Sequence, residues 1–192
     1  MSVVSSAAEV ELVTASLARE WCRARSVDDA FLAGLIPAAR QAIEAYTGRA
    51  LVEKILVDRR DCFPCHRVIT LEQPPLQEVT SISYVDSDGE DQTLSDELYT
   101  VDIYSAPGRI VLNELESWPS TKSVPNAVTI TYVAGYDHIS TGDYRLPESL
   151  RDAMRFLIAH WFSNREPYMS GGGIAEIPET LMPLFFPWKV NW

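Results

Sequence analysis

The chain has 192 residues, of which 46% are hydrophobic and 22% charged, the composition of a globular protein with one sizeable core and not of a disordered one. Its net charge of -11, from 27 acidic and 16 basic residues, argues against a grip on nucleic acid, because phosphate binding needs a basic footprint; a wall past which DNA slides without sticking is compatible with it. No apolar run approaches the roughly 18–20 residues of a membrane span, Met1 to Glu9 has neither a basic nor an apolar signal region, and an odd number of cysteines does not suggest a secreted disulfide scaffold, so synthesis in a cytoplasm is expected.

The spacing of Val10, Val13, Leu17 and Trp21 predicts a helix from about Ser5 to Arg25. Ser26 has the chemistry of an N-cap, with Asp29 in the turn that follows. From there Ala30, Phe31, Gly34, Leu35, Ala38, Ala42, Ile43 and Tyr46 predict a second amphipathic helix, which Pro37 should kink or divide and Gly48 should end.

From Leu51 the period becomes two. Val52, Lys54, Leu56, Asp58 and Arg60 fall on one face of a strand, Glu53, Ile55, Val57 and Arg59 on the other. Further strands are predicted at Arg67–Leu71, Val79–Val85, Gln92–Leu94, Tyr99–Ile103, Arg109–Leu112 and Asn126–Val133, with Asp86-Ser87-Asp88-Gly89 as a hairpin tip. Such short, closely spaced strands imply an antiparallel sheet or small sandwich. Helical period returns after Pro147, a favoured first helical residue, with Leu150, Ala153, Met154, Leu157, Ile158, Trp161 and Phe162 as a wide apolar stripe. A glycine loop, Ser170 to Gly173, follows. The expected fold class is therefore α+β, a helical core carrying an inserted antiparallel β region: residues 1–50 as N-terminal helices, 51–136 as the insertion, 146–167 as a long core helix, and 168–192 as loop and apolar arm.

Cys62-Phe63-Pro64-Cys65-His66 is the sharpest motif-like string. It matches a haem-attachment pattern, and its Cys-x-x-Cys matches a redox or zinc half-site. Zinc would need about two more ligands, and a reactive thiol would sit at a helix start rather than between strands. Thiols in a β-turn are the plainer interpretation. His160, beside Trp161 on the last long helix, reads as a packing or contact histidine, and His138, after Gly135-Tyr136-Asp137, as a solvated one. The acidic run Asp86 to Asp91 departs from calcium-loop spacing and fits a hairpin tip. No nucleotide-binding, metalloprotease or hydrolase motif is present, and neither enzymatic activity nor a cofactor is expected.

The informative feature is the C-terminus. Leu181, Met182, Leu184, Phe185, Phe186, Trp188, Val190 and Trp192 crowd the last dozen residues beside a single charge, Lys189. Chain ends are normally polar and frayed. Two accounts are open: a tail tucked onto its own core, or an arm that docks on a partner through aromatic anchors.

These features, taken in order, resemble the head-tail connector (adaptor) proteins of long-tailed phages, prophages and gene-transfer particles. The strings that carry the resemblance are Ala42 to Leu51, Pro74-Pro75-Leu76 leading to Val79–Asp86, Pro107-Gly108-Arg109-Ile110, Trp118-Pro119, Tyr132 to Tyr136, Leu146 to Arg151 and Ala159 to Glu166. They span nearly the whole chain, and the Cys62–His66 string is not among them. The resemblance implies a virion protein of the particle neck, assembled as a ring of about twelve copies around a DNA channel. It implies a portal protein as partner on one face and a tail-side neck or stopper protein on the other, with no membrane. The family's C-terminal segment would contact the portal or a neighbouring subunit. Other roles in the neck or in tail completion, and a metal protein built on Cys62, Cys65 and His66, are the alternatives.

Overall fold

The computed structural model describes residues 2–4, 11–136, 146–164 and 177–190. Its first helix, α1 (Ala15–Cys22), is shorter than the periodicity predicts. The Thr14 hydroxyl accepts the Leu17 N–H and so starts the helix there, and Arg23, in the left-handed region at φ 49°, ends it. Val10 lies outside the described residues. Ser26 opens a 3-10 turn, Ser26–Asp28, in which the Asp28 carboxylate accepts the Arg25 N–H. Helix α2 (Asp29–Thr47) then runs through Pro37 without being divided. Leu32, Ile36, Ala39, Ile43 and Thr47 form one buried stripe that holds both sides of the proline on the same core. Gly48, at φ 71°, closes the helix with its N–H on the Glu44 carbonyl.

The β region has two antiparallel sheets. One has the order β1-β2-β8-β4-β5, formed by β1 (Ser2–Val4), β2 (Lys54–Arg60), β8 (Val128–Ala134), β4 (Leu76–Val85) and β5 (Asp91–Thr93). The other has the order β3-β7-β6, from β3 (Val68–Thr70), β7 (Arg109–Leu112) and β6 (Tyr99–Asp102). Leu56, Ile82, Ile130 and Tyr132 of the larger sheet share a buried cluster with Ile69 and Ile110 of the smaller, which makes the insertion a small sandwich. Two differences from the sequence prediction stand out. The N-terminal strand β1 lies ahead of the first predicted element and was not predicted. Strand β4 begins at Leu76, three residues early, and takes up register shifts between Leu76 and Glu78 and between Val79 and Ser81.

Helix α3 (Glu148–Ser163) packs on α1 and α2, with Pro147 as its N-cap and not its first residue. A second buried cluster gathers Leu32, Ile36 and Ile43 of α2, Leu150, Met154, Leu157 and Ile158 of α3, and Phe185 from the chain's end. The helices before and after the insertion thus share one core, as their matching apolar stripes predict.

The two units meet around a charged hub. On β2 the buried face carries Lys54, Leu56 and Asp58, so two of its three inward residues are charged. Asp58 pairs with Arg60 at 2.8 Å. Lys54 reaches Glu44 of α2 at 3.2 Å, and the same carboxylate oxygen accepts from Arg40 at 3.1 Å. The other Glu44 oxygen accepts the Leu51 N–H at 2.8 Å, and Arg40 in turn holds Glu11. Removing one partner from such a group strands buried charge, which costs about 3–5 kcal/mol. Glu44→Ala is therefore expected to lower the urea midpoint by an amount worth about 3 kcal/mol or more at unchanged slope; a shift below about 1 kcal/mol would show that the hub contributes no net stability.

Candidate functional site

The apolar C-terminus is built from short turns that its prolines help to shape. A 3-10 turn at Glu179–Leu181 leads into α4 (Met182–Phe185) and then a 3-10 turn at Phe186–Trp188, with Pro183 and Pro187 in opening positions of the last two, where a missing N–H costs nothing. The segment lies across the end of α2 and the start of α3. The Val190 N–H donates to the Thr47 carbonyl at 2.8 Å. Arg49 Nε donates to the Trp188 carbonyl at 2.6 Å, and its guanidinium stands 5.7 Å from the Trp188 ring centre. Trp188 Nε1 donates to the Ser149 hydroxyl at 2.9 Å. The Phe185 ring meets Tyr46 at 5.8 Å, and the Lys189 ammonium stands over the same Tyr46 ring.

This arrangement separates the predicted partner-binding residues by burial. Phe185 is fully buried and Val190 is buried to 7% exposure, both within this chain, so these two are core residues of the helical unit. Leu181, Leu184 and Trp188 are half-buried and pack against the same core, and Met182 is half-buried as well. Phe186 points outward at 71% exposure, flanked by exposed Pro183, Pro187 and Lys189. Trp192, the glycine loop Ser170–Gly173 and His138 lie outside the described residues. Nearby, Phe156 of α3 is 56% exposed and borders a shallow groove with Ala159, His160, Pro178, Thr180 and Leu181. Phe186 and Phe156 thus present exposed rings on the helical unit, the kind of side chain that carries contact energy in protein interfaces.

The anchoring residues Arg49, Ser149 and Tyr46 were not singled out from the sequence. Arg49 follows the helix-ending Gly48, but nothing in a linear string indicates that it reaches a carbonyl 139 residues later. It also donates to the Tyr136 hydroxyl, whose ionisation burial pushes above the usual range despite the guanidinium beside it.

The motif-like strings fall into structural roles. Cys62, Cys65 and His66 are exposed in the loop between β2 and β3, while Phe63 is buried against Trp118 and Tyr84. Among the described residues, no three His, Cys, Asp or Glu side chains are gathered as metal ligands. At the β4–β5 hairpin, one oxygen of Asp86 accepts the N–H groups of Asp88, Gly89 and Glu90, and the other accepts Gln92 Nε2. Those bonds, the Glu90 backbone first, hold the Asp86 carboxyl below its usual range and commit both its oxygens to the turn. His160 is exposed, with Nδ1 at 3.4 Å from Asn164 Nδ2.

No protein-family model and no curated protein matches the chain. Solved structures do. A chain of the neck of an empty gene transfer agent (GTA) particle, computed with C6 symmetry, superposes with a TM-score of 0.79 at 22% identity, covering 100% of this chain and 96% of that one. A chain of the virion of a native GTA particle gives 0.78 at 20% identity with the same coverage. A chain of the neck of a native GTA particle, computed with C12 symmetry, gives 0.70 at 23%. The shared feature is the fold over the whole length of this chain, with its α+β class and its antiparallel sheets between helices.

Proposed function

We propose that the chain is a structural head-tail connector subunit, made in a bacterial cytoplasm and built into the neck of a phage-like particle. Copies of it form a ring beneath the portal, leave a channel for DNA and receive a tail-side stopper protein below. The observation that carries this is the full-length superposition on chains from GTA necks, at TM-scores of 0.79 and 0.70. The C6 and C12 symmetries of those necks support a closed ring, with twelve copies as the natural number for the second. A net charge of -11 suits a lumen that repels the DNA backbone and lets it pass. Native mass spectrometry of the chain with and without portal protein, and electron microscopy of the assembly, test the proposal. A chain that stays monomeric in the presence of portal overturns it.

The outward side of the C-terminal segment is the proposed contact with the portal or with a neighbouring copy. Phe186 is the anchor that can be removed without opening a cavity, because it is already exposed. Phe186→Ser is expected to leave the unfolding midpoint within about 0.5 kcal/mol of wild type. Incorporation into particles is expected to fall by about tenfold or more, the scale of an aromatic hot spot. Unchanged incorporation would show that the contact lies elsewhere.

A further inference from the structure

We propose that Cys62 and Cys65 form an exposed dithiol that closes into an intraloop disulfide, so that the β2–β3 loop is a thiol-modification site. Both thiols are free and exposed. The backbone that bears them is held at two points by one indole. Trp118 stacks on Phe63, the residue after Cys62, with ring centres 5.0 Å apart and planes within 2°. The same Trp118 donates Nε1–H to the carbonyl of His66, the residue after Cys65, at 2.8 Å. Phe63 is buried at 8% exposure and meets Tyr84 edge-on. Asp61, the residue before Cys62, accepts the Asn126 N–H at 2.8 Å. The segment 61–66 is therefore fixed to the sandwich at three of its six residues, with its two sulfurs left outside.

Holding a short segment at these points lowers the chain entropy that opposes ring closure. A thiolate of Cys62 attacks a low-molecular-weight disulfide such as oxidised glutathione and expels one glutathione thiolate. The Cys65 thiolate then attacks the Cys62 sulfur of the mixed disulfide and expels the second. Two protein thiols are oxidised, one glutathione disulfide is reduced to two thiols, and two protons pass to solvent or to the leaving thiolates. The dithiol stays open in a reducing cytoplasm and closes in oxidising surroundings, as outside a cell. The chemistry rests on the loop alone and does not depend on the role in a particle neck.

The test is equilibration of the full reduced chain in glutathione redox buffers, followed by acid quench, alkylation and peptide mass mapping. The native protein is expected to yield a Cys62–Cys65 linked peptide, two hydrogens lighter. Its equilibrium should lie at least tenfold further toward the disulfide than that of the same chain in urea. Trp118→Phe, which keeps a ring for the stack and removes the bond to His66, should reduce that advantage several-fold. A native equilibrium equal to or below that of the unfolded chain, or accumulation of glutathione adducts without closure, would overturn the proposal. A Trp118→Phe equilibrium equal to that of the native chain would overturn the part given to Trp118.

Discussion

Replacing Gly135 with alanine is expected to leave little folded protein. Gly135 lies at φ +117°, in a region that side chains avoid. An added Cβ would lie 2.0 Å from the Val52 carbonyl oxygen and 2.5 Å from its carbon. Those atoms are backbone and cannot swing aside. The neighbourhood is also bonded in place: the Gly135 N–H donates to the Pro75 carbonyl, and the Gly135 carbonyl accepts Gln77 Nε2. The chain leaves β8 here toward the helical unit, so any displacement is passed to both units. Conformational strain of about 1–3 kcal/mol adds to a backbone clash, and the sum approaches the total stability of about 5–15 kcal/mol that a domain has. Circular dichroism and urea unfolding of Gly135→Ala should show a loss above about 4 kcal/mol or no cooperative transition at all. Gly34 is the control. It stands in α2 with nothing within 4 Å of a built Cβ, and Gly34→Ala should gain about 0.5–1 kcal/mol. A Gly135→Ala chain as stable as wild type would mean that the junction between β8 and Val52 yields to a side chain at little cost.

Ending the chain after Pro178 is the second large effect expected. As an arm, the segment could be removed at no cost to the fold. Its geometry says otherwise for its inner side. Phe185 is fully buried among the residues of α2 and α3, and deleting a buried phenylalanine side chain alone costs about 3–5 kcal/mol. The truncation also removes Val190 and Trp188, leaving Thr47, Arg49 and Ser149 without the partners that the segment supplies. The helical unit is expected to lose its fixed packing. The sandwich keeps its own core of Leu56, Ile82, Ile110 and Ile130 and should stay folded. Hydrogen exchange read by segment should show protection retained in β2, β4 and β8 and lost in α2 and α3. Truncated chains would then fail to enter particles through unfolding, whatever they contact. Phe186→Ser separates the two causes, because it alters only the outward side. Retained protection in α3 after truncation would restore the picture of a detachable arm.

The legible parts of this chain were those set by local periodicity and turn chemistry. The stripe on α3, the alternation of β2 and β8, the tip at Asp86–Gly89 and the stop at Gly48 are decided by residues within a few positions of each other. The helical class of the flanks and the antiparallel insertion followed from them. Boundaries were less secure. A hydroxyl at Thr14 and a left-handed Arg23 cut α1 to eight residues, and an apolar pattern does not reveal a cap competing with it. Pro37 signals a break, yet long-range burial on both sides keeps α2 whole.

The candidate site shows the same division. Composition alone marked residues 181–192 as unusually apolar, and it left open whether the chain's own core or another molecule covers them. Only the folded structure separates Phe185 and Val190, turned inward, from Phe186, turned outward, because facing depends on where α2 and α3 stand relative to the segment. Lys54 shows it too: alternation placed it on one face with Leu56, and only the arrival of Glu44 from α2 explains how that charge can be buried. Near neighbours in the chain determine what each segment becomes. Partners from far along it decide what each side chain touches, since burial and hydrogen bonding are settled by packing and carry no mark in the local string.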